Sequence, residues 1–145
     1  MNIIIYIDTR YVSNVNKTEV NVAVRDFNYG KQFYSSSKRV EPTGNRCRTQ
    51  RDDLLGLITA IDYISKMAEF RPRGKKEKHR IMLEIADKSL QQSLTKLIPK
   101  WKKNNWKKLS HSGGKVKNQD LLKYIDNEMQ RHGFEFQTEK QMILF

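Results

Sequence analysis

The sequence has few of the residues that build disulfide-stabilised proteins or structural metal sites. Cys47 is the single cysteine in 145 residues, which excludes an internal disulfide and a cysteine-rich zinc site. The three histidines are scattered without the spacing of zinc ligands. No apolar run approaches the roughly 20 residues of a membrane-spanning helix, and the start MNIIIYID lacks the basic flank and cleavage site of a signal peptide. We therefore expect one soluble, intracellular domain that covers residues 1–145.

Acidic residues are missing from one long stretch of the chain. Between Lys88 and Gln119 there are nine lysines and no Asp or Glu, in a chain with a net charge of +12. Trp101 and Trp106 lie among these lysines. This pattern predicts binding to nucleic acid, because lysines attract phosphates and aromatic rings stack on bases. The alternative is an amphipathic helix whose apolar side chains, with Trp101, face the core while the lysines are only solvated.

A membrane surface is a weaker candidate partner than nucleic acid. The lysine-rich stretch is interrupted by Pro99 and has no continuous apolar face. We therefore expect RNA, DNA or a hybrid of the two as the partner, and no membrane.

The spacing of apolar residues predicts a mixed sheet packed against helices. Three strands come first and are expected to be antiparallel. The predicted elements are strands at 2–8, 18–27 and 31–36, a helix at 49–68, a strand at 80–86, helical residues 88–102 with a kink or break at Pro99, a helix at 118–131 and a strand at 134–138.

Three aspartates lie near the ends of predicted elements: Asp8 in the first strand, and Asp52 and Asp53 in the first helix. Asp8 ends the first strand, where it lies in a cleft or merely begins a turn with Thr9. Asp53 falls on the packed side of the first helix, where a carboxylate needs a partner or a metal ion. Alternatively, Asp52 and Asp53 only complement the helix dipole, after an N-cap at Thr49.

These residues together resemble type 1 ribonuclease H. The resemblance rests on the order of elements, Asp8 at the end of the first strand, RDDLLGLITAI at the first helix, and IPKWKKNNWKK followed by KVKNQDLLKYID. It covers roughly Asn2 to Thr138 and is most specific from Pro99 to Leu121, which is similar to the family's basic protrusion. It implies an α/β ribonuclease H-like fold, with a mixed five-stranded sheet, three antiparallel strands first, flanking helices and a basic protrusion.

The resemblance also implies a metal-dependent site. That family cleaves the RNA strand of an RNA–DNA hybrid with Mg²⁺ or Mn²⁺ held by four carboxylates. By position, the catalytic metal ligands in this chain are Asp8, Asp53 in place of a glutamate, and Asp87, although direct counting places Ala86 at the third position. The fourth carboxylate lies in a final helix, after a histidine loop. We expect this chain to have neither, because it ends at Phe145 before such a helix can form.

The same resemblance implies a nucleic-acid-binding set in which Thr49 and Gln50 replace asparagines. The set is Thr49, Gln50, Lys100, Trp101, Lys102, Lys103, Trp106, Lys107, Lys108, Lys115, Lys117 and Asn118. The leading hypothesis is a domain that binds RNA–DNA hybrid or duplex with weak or no cleavage. An alternative is an active metal-dependent ribonuclease H, in which Glu139 or Glu84 replaces the missing ligand. A third possibility is a structural module within a nucleoprotein assembly.

Overall fold

Five strands form one sheet in the order β3-β2-β1-β4-β5. The computed structural model describes residues 1–69, 79–108 and 114–143. The strands are β1 (Asn2–Val12), β2 (Lys17–Asp26), β3 (Gln32–Val40), β4 (His79–Ile85) and β5 (Phe134–Phe136). β1, β2 and β3 pair antiparallel, whereas β4 pairs parallel with both β1 and β5. The predicted mixed five-stranded sheet, with three antiparallel strands first, is confirmed.

Helices follow the third, fourth and fifth strands. They are α1 (Gln50–Glu69), α2 (Lys88–Gln92), α3 (Ile98–Lys103), α4 (Gln119–Arg131) and α5 (Glu139–Ile143). A π-helical turn, Ser93–Leu97, joins α2 to α3, and the Ile98 N–H bonds to the Ser93 carbonyl five residues earlier. Pro99 has no N–H and its ring crowds the preceding turn, so the helix widens there instead of ending. The kink or break predicted at Pro99 is therefore a π-helical turn that joins α2 to α3.

One face of the sheet and the apolar stripe of α1 make the core. Alternate residues of β1 point to this face, and α1 contributes apolar residues at helical spacing. All of them are at most 3% exposed: Ile3, Ile5, Ile7, Leu54, Leu57, Ile61 and Ile64. Each contributes about 1.5–3 kcal/mol by its burial. A Cβ on Gly56 would lie 3.0 Å from Val20 Cγ1, so glycine at this position lets α1 approach β2.

The start of α1 is held by its own first turn. The Thr49 N–H donates to the Asp52 carboxylate at 3.0 Å, and the Asp52 N–H donates to the Thr49 carbonyl at 3.1 Å. This is one half of a capping box. Asp52 is 1% exposed and also accepts from the Thr43 hydroxyl at 2.9 Å. These contacts tie the loop before α1 to the helix.

A short helix follows β5, where the sequence was expected to form none. The Thr138 N–H donates to Gln141 Oε1 at 2.8 Å, and the Gln141 N–H donates to Thr138 Oγ1 at 3.2 Å. This capping box begins α5, which lies against β4 with Met142 only 1% exposed. The expectation overlooked the Thr-x-x-Gln signal at Thr138.

In the described parts of the chain, no helix has the length and apolar character needed to cross a membrane.

Candidate functional site

Asp53 is a buried carboxylate with two donors. It is 2% exposed in the first turn of α1. The Thr9 hydroxyl donates to Oδ1, and Arg48 Nη1 donates to Oδ2 in an ion pair. Burial raises the pKa of Asp53, and the Thr9 hydrogen bond and the Arg48 charge oppose that rise without reversing it. The prediction that Asp53 faces the packed side is confirmed, and the partner it needs is present.

Asp87 follows β4 and caps the next helix. Its Oδ1 accepts from the Leu90 N–H at 3.0 Å, at the start of α2. Its Oδ2 accepts from Gln50 Nε2 at 3.2 Å and from Arg48 Nη2 at 3.3 Å. Burial raises the pKa of Asp87, but the hydrogen bonds from Leu90, Gln50 and Arg48 outweigh burial and lower it overall.

One guanidinium therefore joins the two carboxylates. Arg48 lies in the loop before α1 and donates through Nη1 to Asp53 and through Nη2 to Asp87. Of the two residues that the sequence left open for the third position, Ala86 is exposed, whereas the Asp87 carboxylate lies beside Asp53. We call Thr9, Arg48, Asp53 and Asp87 the carboxylate cluster.

Asp8 does not join this cluster. β1 continues unbroken to Val12, and its side chains alternate, so the buried Ile7 and Thr9 face α1 while Asp8 is exposed on the other face. Glu84 pairs with Tyr6 and lies on the face of Asp8. Within residues 1–69, 79–108 and 114–143, no three His, Cys, Asp or Glu side chains are grouped to hold a metal ion. Asp8 stays apart from Asp53 and Asp87 because the strand does not end at Asp8, where a turn could have redirected its side chain.

Three residues of the predicted binding set are occupied by internal contacts. Thr49 shares a hydrogen bond between its hydroxyl and that of Thr43, and the Gln50 amide donates to Asp87. Asn118 begins α4 with a φ of 59° and accepts from Arg51 Nη1 at 3.5 Å. These groups serve the protein's own structure before any ligand binds.

The lysine-rich region begins with a helix that ends in a defined turn. The Trp106 N–H bonds to the Trp101 carbonyl at 2.7 Å, and the Asn105 N–H bonds to the Lys102 carbonyl at 3.4 Å. Together with a φ of 55° at Asn105, this pattern is a Schellman motif. Asparagine tolerates this left-handed conformation better than most residues. The turn fixes the direction of the chain that follows α3.

A short antiparallel bridge then pairs Lys107 with Lys115. The Lys108 N–H donates to the Gly114 carbonyl at 2.7 Å. Val116 is 5% exposed and anchors the returning segment. The bridge therefore brings two lysine-bearing stretches side by side.

Trp101 and Trp106 are half-buried and pack against the core. Lys123 Nζ lies 5.6 Å from the centroid of the Trp106 ring. Much of the surface of both tryptophans is therefore used in core packing, as the amphipathic-helix alternative predicts for Trp101. Their exposed remainder is still available to a ligand.

The lysines themselves are exposed. Lys102 forms an ion pair with Asp126 at 2.9 Å. Six others have no acidic partner in the described parts of the chain: Lys100, Lys103, Lys107, Lys108, Lys115 and Lys117. We call residues 100–108 and 114–118 the lysine segment.

The sequence did not indicate Arg48 or Thr9 as residues of the cluster. The available signal was the need of a buried Asp53 for a partner, together with Arg48 five residues before it. Thr9 lies on the face of Ile5 and Ile7, but alternation would have placed it there only if the first strand had been extended past Asp8.

Comparisons with known proteins agree with this architecture. No family model matches the chain. A relative named Ribonuclease H from Actinobacillus pleuropneumoniae serotype 5b (strain L20) is 29% identical over 132 residues, which is 91% of this chain and 73% of the relative. A relative named Ribonuclease HI from Haemophilus influenzae is 43% identical over 65 residues, which is 45% of this chain and 41% of the relative.

Solved structures of similar architecture include two whose likeness extends over nearly all of this chain. The N-terminal RNase H domain of a Mycobacterium tuberculosis protein has a TM-score of 0.55 at 13% identity and covers 99% of this chain and 86% of its own. A foamy viral protease-reverse transcriptase, solved in complex with RNA/DNA hybrid, has a TM-score of 0.62 at 10% identity. That match covers 95% of this chain and 17% of the viral chain. The chain has a type 1 ribonuclease H-like fold.

Proposed function

We propose that this chain is a ribonuclease H-like domain that binds RNA–DNA hybrid or duplex nucleic acid through the lysine segment, with weak or no cleavage. The observation that carries the proposal is the set of six exposed lysines without acidic partners in the described parts. Unpaired cations on one segment attract phosphates and release condensed counterions when they bind. A fixed turn and a bridge hold these cations in a defined arrangement.

The proposed partner is helical nucleic acid, without strong preference for the hybrid. In the family that this chain resembles, the asparagines at the positions of Thr49 and Gln50 recognise RNA hydroxyls. Here the Thr49 hydroxyl bonds to Thr43 and the Gln50 amide bonds to Asp87. We therefore expect hybrid, RNA duplex and DNA duplex to bind with affinities within about tenfold, since a contact to a 2′-hydroxyl contributes about one hydrogen bond of roughly 1 kcal/mol.

The binding test compares two triple variants of equal charge. Lys103→Gln/Lys107→Gln/Lys108→Gln removes three cations from the lysine segment. Lys31→Gln/Lys66→Gln/Lys140→Gln removes three exposed cations outside it. Affinity for a labelled 20-base-pair hybrid is measured by fluorescence anisotropy at several salt concentrations.

The first triple variant is expected to reduce the steepness of log K against log salt by about 0.9 for each phosphate that it no longer neutralises. The second is expected to leave the slope close to that of the wild type. Equal reductions in both variants would show that net charge, and not the lysine segment, drives binding. That result would overturn the proposal.

The alternative is an active metal-dependent ribonuclease H, and the names of the two relatives support it. The contact of Arg48 with both Asp53 and Asp87 weighs against it. Cleavage of labelled hybrid in Mg²⁺ and then Mn²⁺, abolished in Asp53→Asn and in Asp8→Asn, would favour the enzyme. Binding without cleavage in either metal would favour the leading proposal.

A further inference from the structure

The four oxygens of Asp53 and Asp87 all have donors from the protein. Asp53 accepts from Thr9 on one oxygen and from Arg48 on the other. Asp87 accepts from the Leu90 N–H on one oxygen, and from Arg48 and Gln50 on the other. Both carboxylates are therefore hydrogen-bonded within the protein without any ligand, and Arg48 is the one cation among their donors.

A divalent ion that bridges Asp53 Oδ2 and Asp87 Oδ2 would have to take the place of the guanidinium that both oxygens contact. Mg²⁺ and Mn²⁺ bind through oxygen lone pairs in a near-octahedral arrangement. Here the lone pairs that face the space between the carboxylates are directed at a guanidinium, which carries a permanent positive charge. A divalent ion beside Arg48 would be repelled by that charge. Asp8, the third carboxylate implied by the resemblance, lies on the other face of β1.

The residues present therefore do not fit the metal ions that the resemblance implies. We infer that Arg48 is the resident counter-ion of Asp53 and Asp87, and that it takes the place of a divalent metal in this chain. The inference depends only on the carboxylate cluster, so it stands or falls independently of nucleic-acid binding by the lysine segment.

The guanidinium is well suited to this role. Arg48 presents two parallel N–H groups in a rigid fork, so one side chain can contact two carboxylates at once. Its side chain is 34% exposed, whereas the side chains of Asp53 and Asp87 are 3% and 13% exposed. The arginine is thus the most solvent-exposed of the three side chains, and the two carboxylates that it contacts are largely shielded from water.

The test measures Mn²⁺ binding to the whole chain by electron paramagnetic resonance, in which free Mn²⁺ gives a signal that disappears on binding. The proteins are the wild type, Arg48→Ala, Arg48→Ala/Asp53→Asn and the control Arg46→Ala. Arg46 is exposed two residues away, so its replacement removes the same charge from the same loop and leaves the cluster intact.

We expect Arg48→Ala to bind Mn²⁺ at least tenfold more tightly than the wild type. Arg46→Ala is expected to bind like the wild type, and the double variant is expected to return to the wild-type affinity because one ligand is gone. The inference is overturned if Arg48→Ala and the wild type bind equally, or if Asp53→Asn does not reverse the gain.

Two further measurements keep the test decisive if Arg48→Ala does not fold. Arg48→Gln removes the charge while keeping a donor for one carboxylate, and it is expected to show a smaller gain of the same sign. The wild type is also compared with Asp53→Asn alone. Mn²⁺ that binds the wild type but not Asp53→Asn would by itself show that a metal, and not Arg48, neutralises the pair.

Discussion

In the carboxylate cluster, each oxygen of two aspartates has a donor from the protein, whereas six lysines of the lysine segment extend into solvent without an acidic partner in the described parts. The two regions carry opposite charge and differ in how that charge is compensated. A buried charge must be paired where it lies, because its desolvation is costly. An exposed charge is compensated by water and salt ions, and a polyanion can replace those ions.

Under the proposed function, this difference separates a structural region from a binding region within one fold. The cluster occupies the place where the resemblance predicts chemistry, yet its contacts connect the loop before α1, the start of α1, β1 and the start of α2. Apart from Lys102, the cations of the lysine segment have no acidic partner within the described residues. We therefore expect changes in the cluster to alter stability and changes in the lysine segment to alter binding.

The largest expected effect on stability comes from Arg48→Ala. Removing the guanidinium leaves the buried Asp53 carboxyl with only Thr9 as a donor and without a counter-charge. We expect the free energy of unfolding to fall by about 2–3 kcal/mol, toward the lower end for a broken buried ion pair because Arg48 is partly exposed. Urea unfolding followed by circular dichroism measures the change.

The matched control is Arg46→Ala, which is expected to change stability by less than about 0.5 kcal/mol. Arg48→Ala/Asp53→Asn is expected to recover part of the stability, since no uncompensated buried charge remains. Equal stability of Arg48→Ala and the wild type would remove the contrast between the two regions.

The second-largest effect on stability is expected from Asp87→Asn, and it depends on pH. In the folded state the pKa of Asp87 lies below its ordinary value. The ionised carboxylate therefore stabilises the fold above the pKa of Asp87 in the unfolded chain, which is about 4. Asp87→Asn keeps an acceptor for the Leu90 N–H but removes the charge, and it is expected to cost about 1 kcal/mol at neutral pH.

The difference between the wild type and Asp87→Asn is expected to be constant above about pH 5 and to shrink as pH falls below about 4, through the lowered pKa. Urea unfolding at pH 7, 5, 4 and 3 measures it. A difference that is unchanged at pH 3 would mean that the Asp87 charge contributes nothing to folding.

Much of the fold could be predicted because it follows from local periodicity. The alternation in β2 and the helical spacing from Leu54 to Ile64 are present in consecutive residues. An irregularity in the helix at Pro99 could be predicted from that single residue, although its form, a π-helical turn, could not. The face of Asp8 could not be predicted, because the strand was taken to end there and only its continuation to Val12 fixes the alternation.

The carboxylate cluster could be predicted only in part. Burial of Asp53 follows from helical spacing, and with it the need for a partner. The identity of that partner does not, because Arg48 lies in the loop before the helix. Its second contact, with Asp87, spans 39 positions of sequence. A loop residue has no periodicity that would indicate such a long-range contact.

The smallest effect on stability is expected from two neighbouring lysines, and it tests the comparison most directly. Lys102 pairs with Asp126 at 2.9 Å, whereas Lys103 has no acidic partner in the described ranges. Lys102→Gln is expected to lower the free energy of unfolding by about 0.5 kcal/mol, as for a partly exposed ion pair, and Lys103→Gln is expected to leave it unchanged. In hybrid binding the order should reverse, with Lys103→Gln weakening affinity more, because the cation of Lys102 is already partly neutralised by Asp126. If Lys103→Gln instead destabilises the fold and leaves binding intact, the lysine segment is structural like the cluster, and the exposed charge has a role inside the protein.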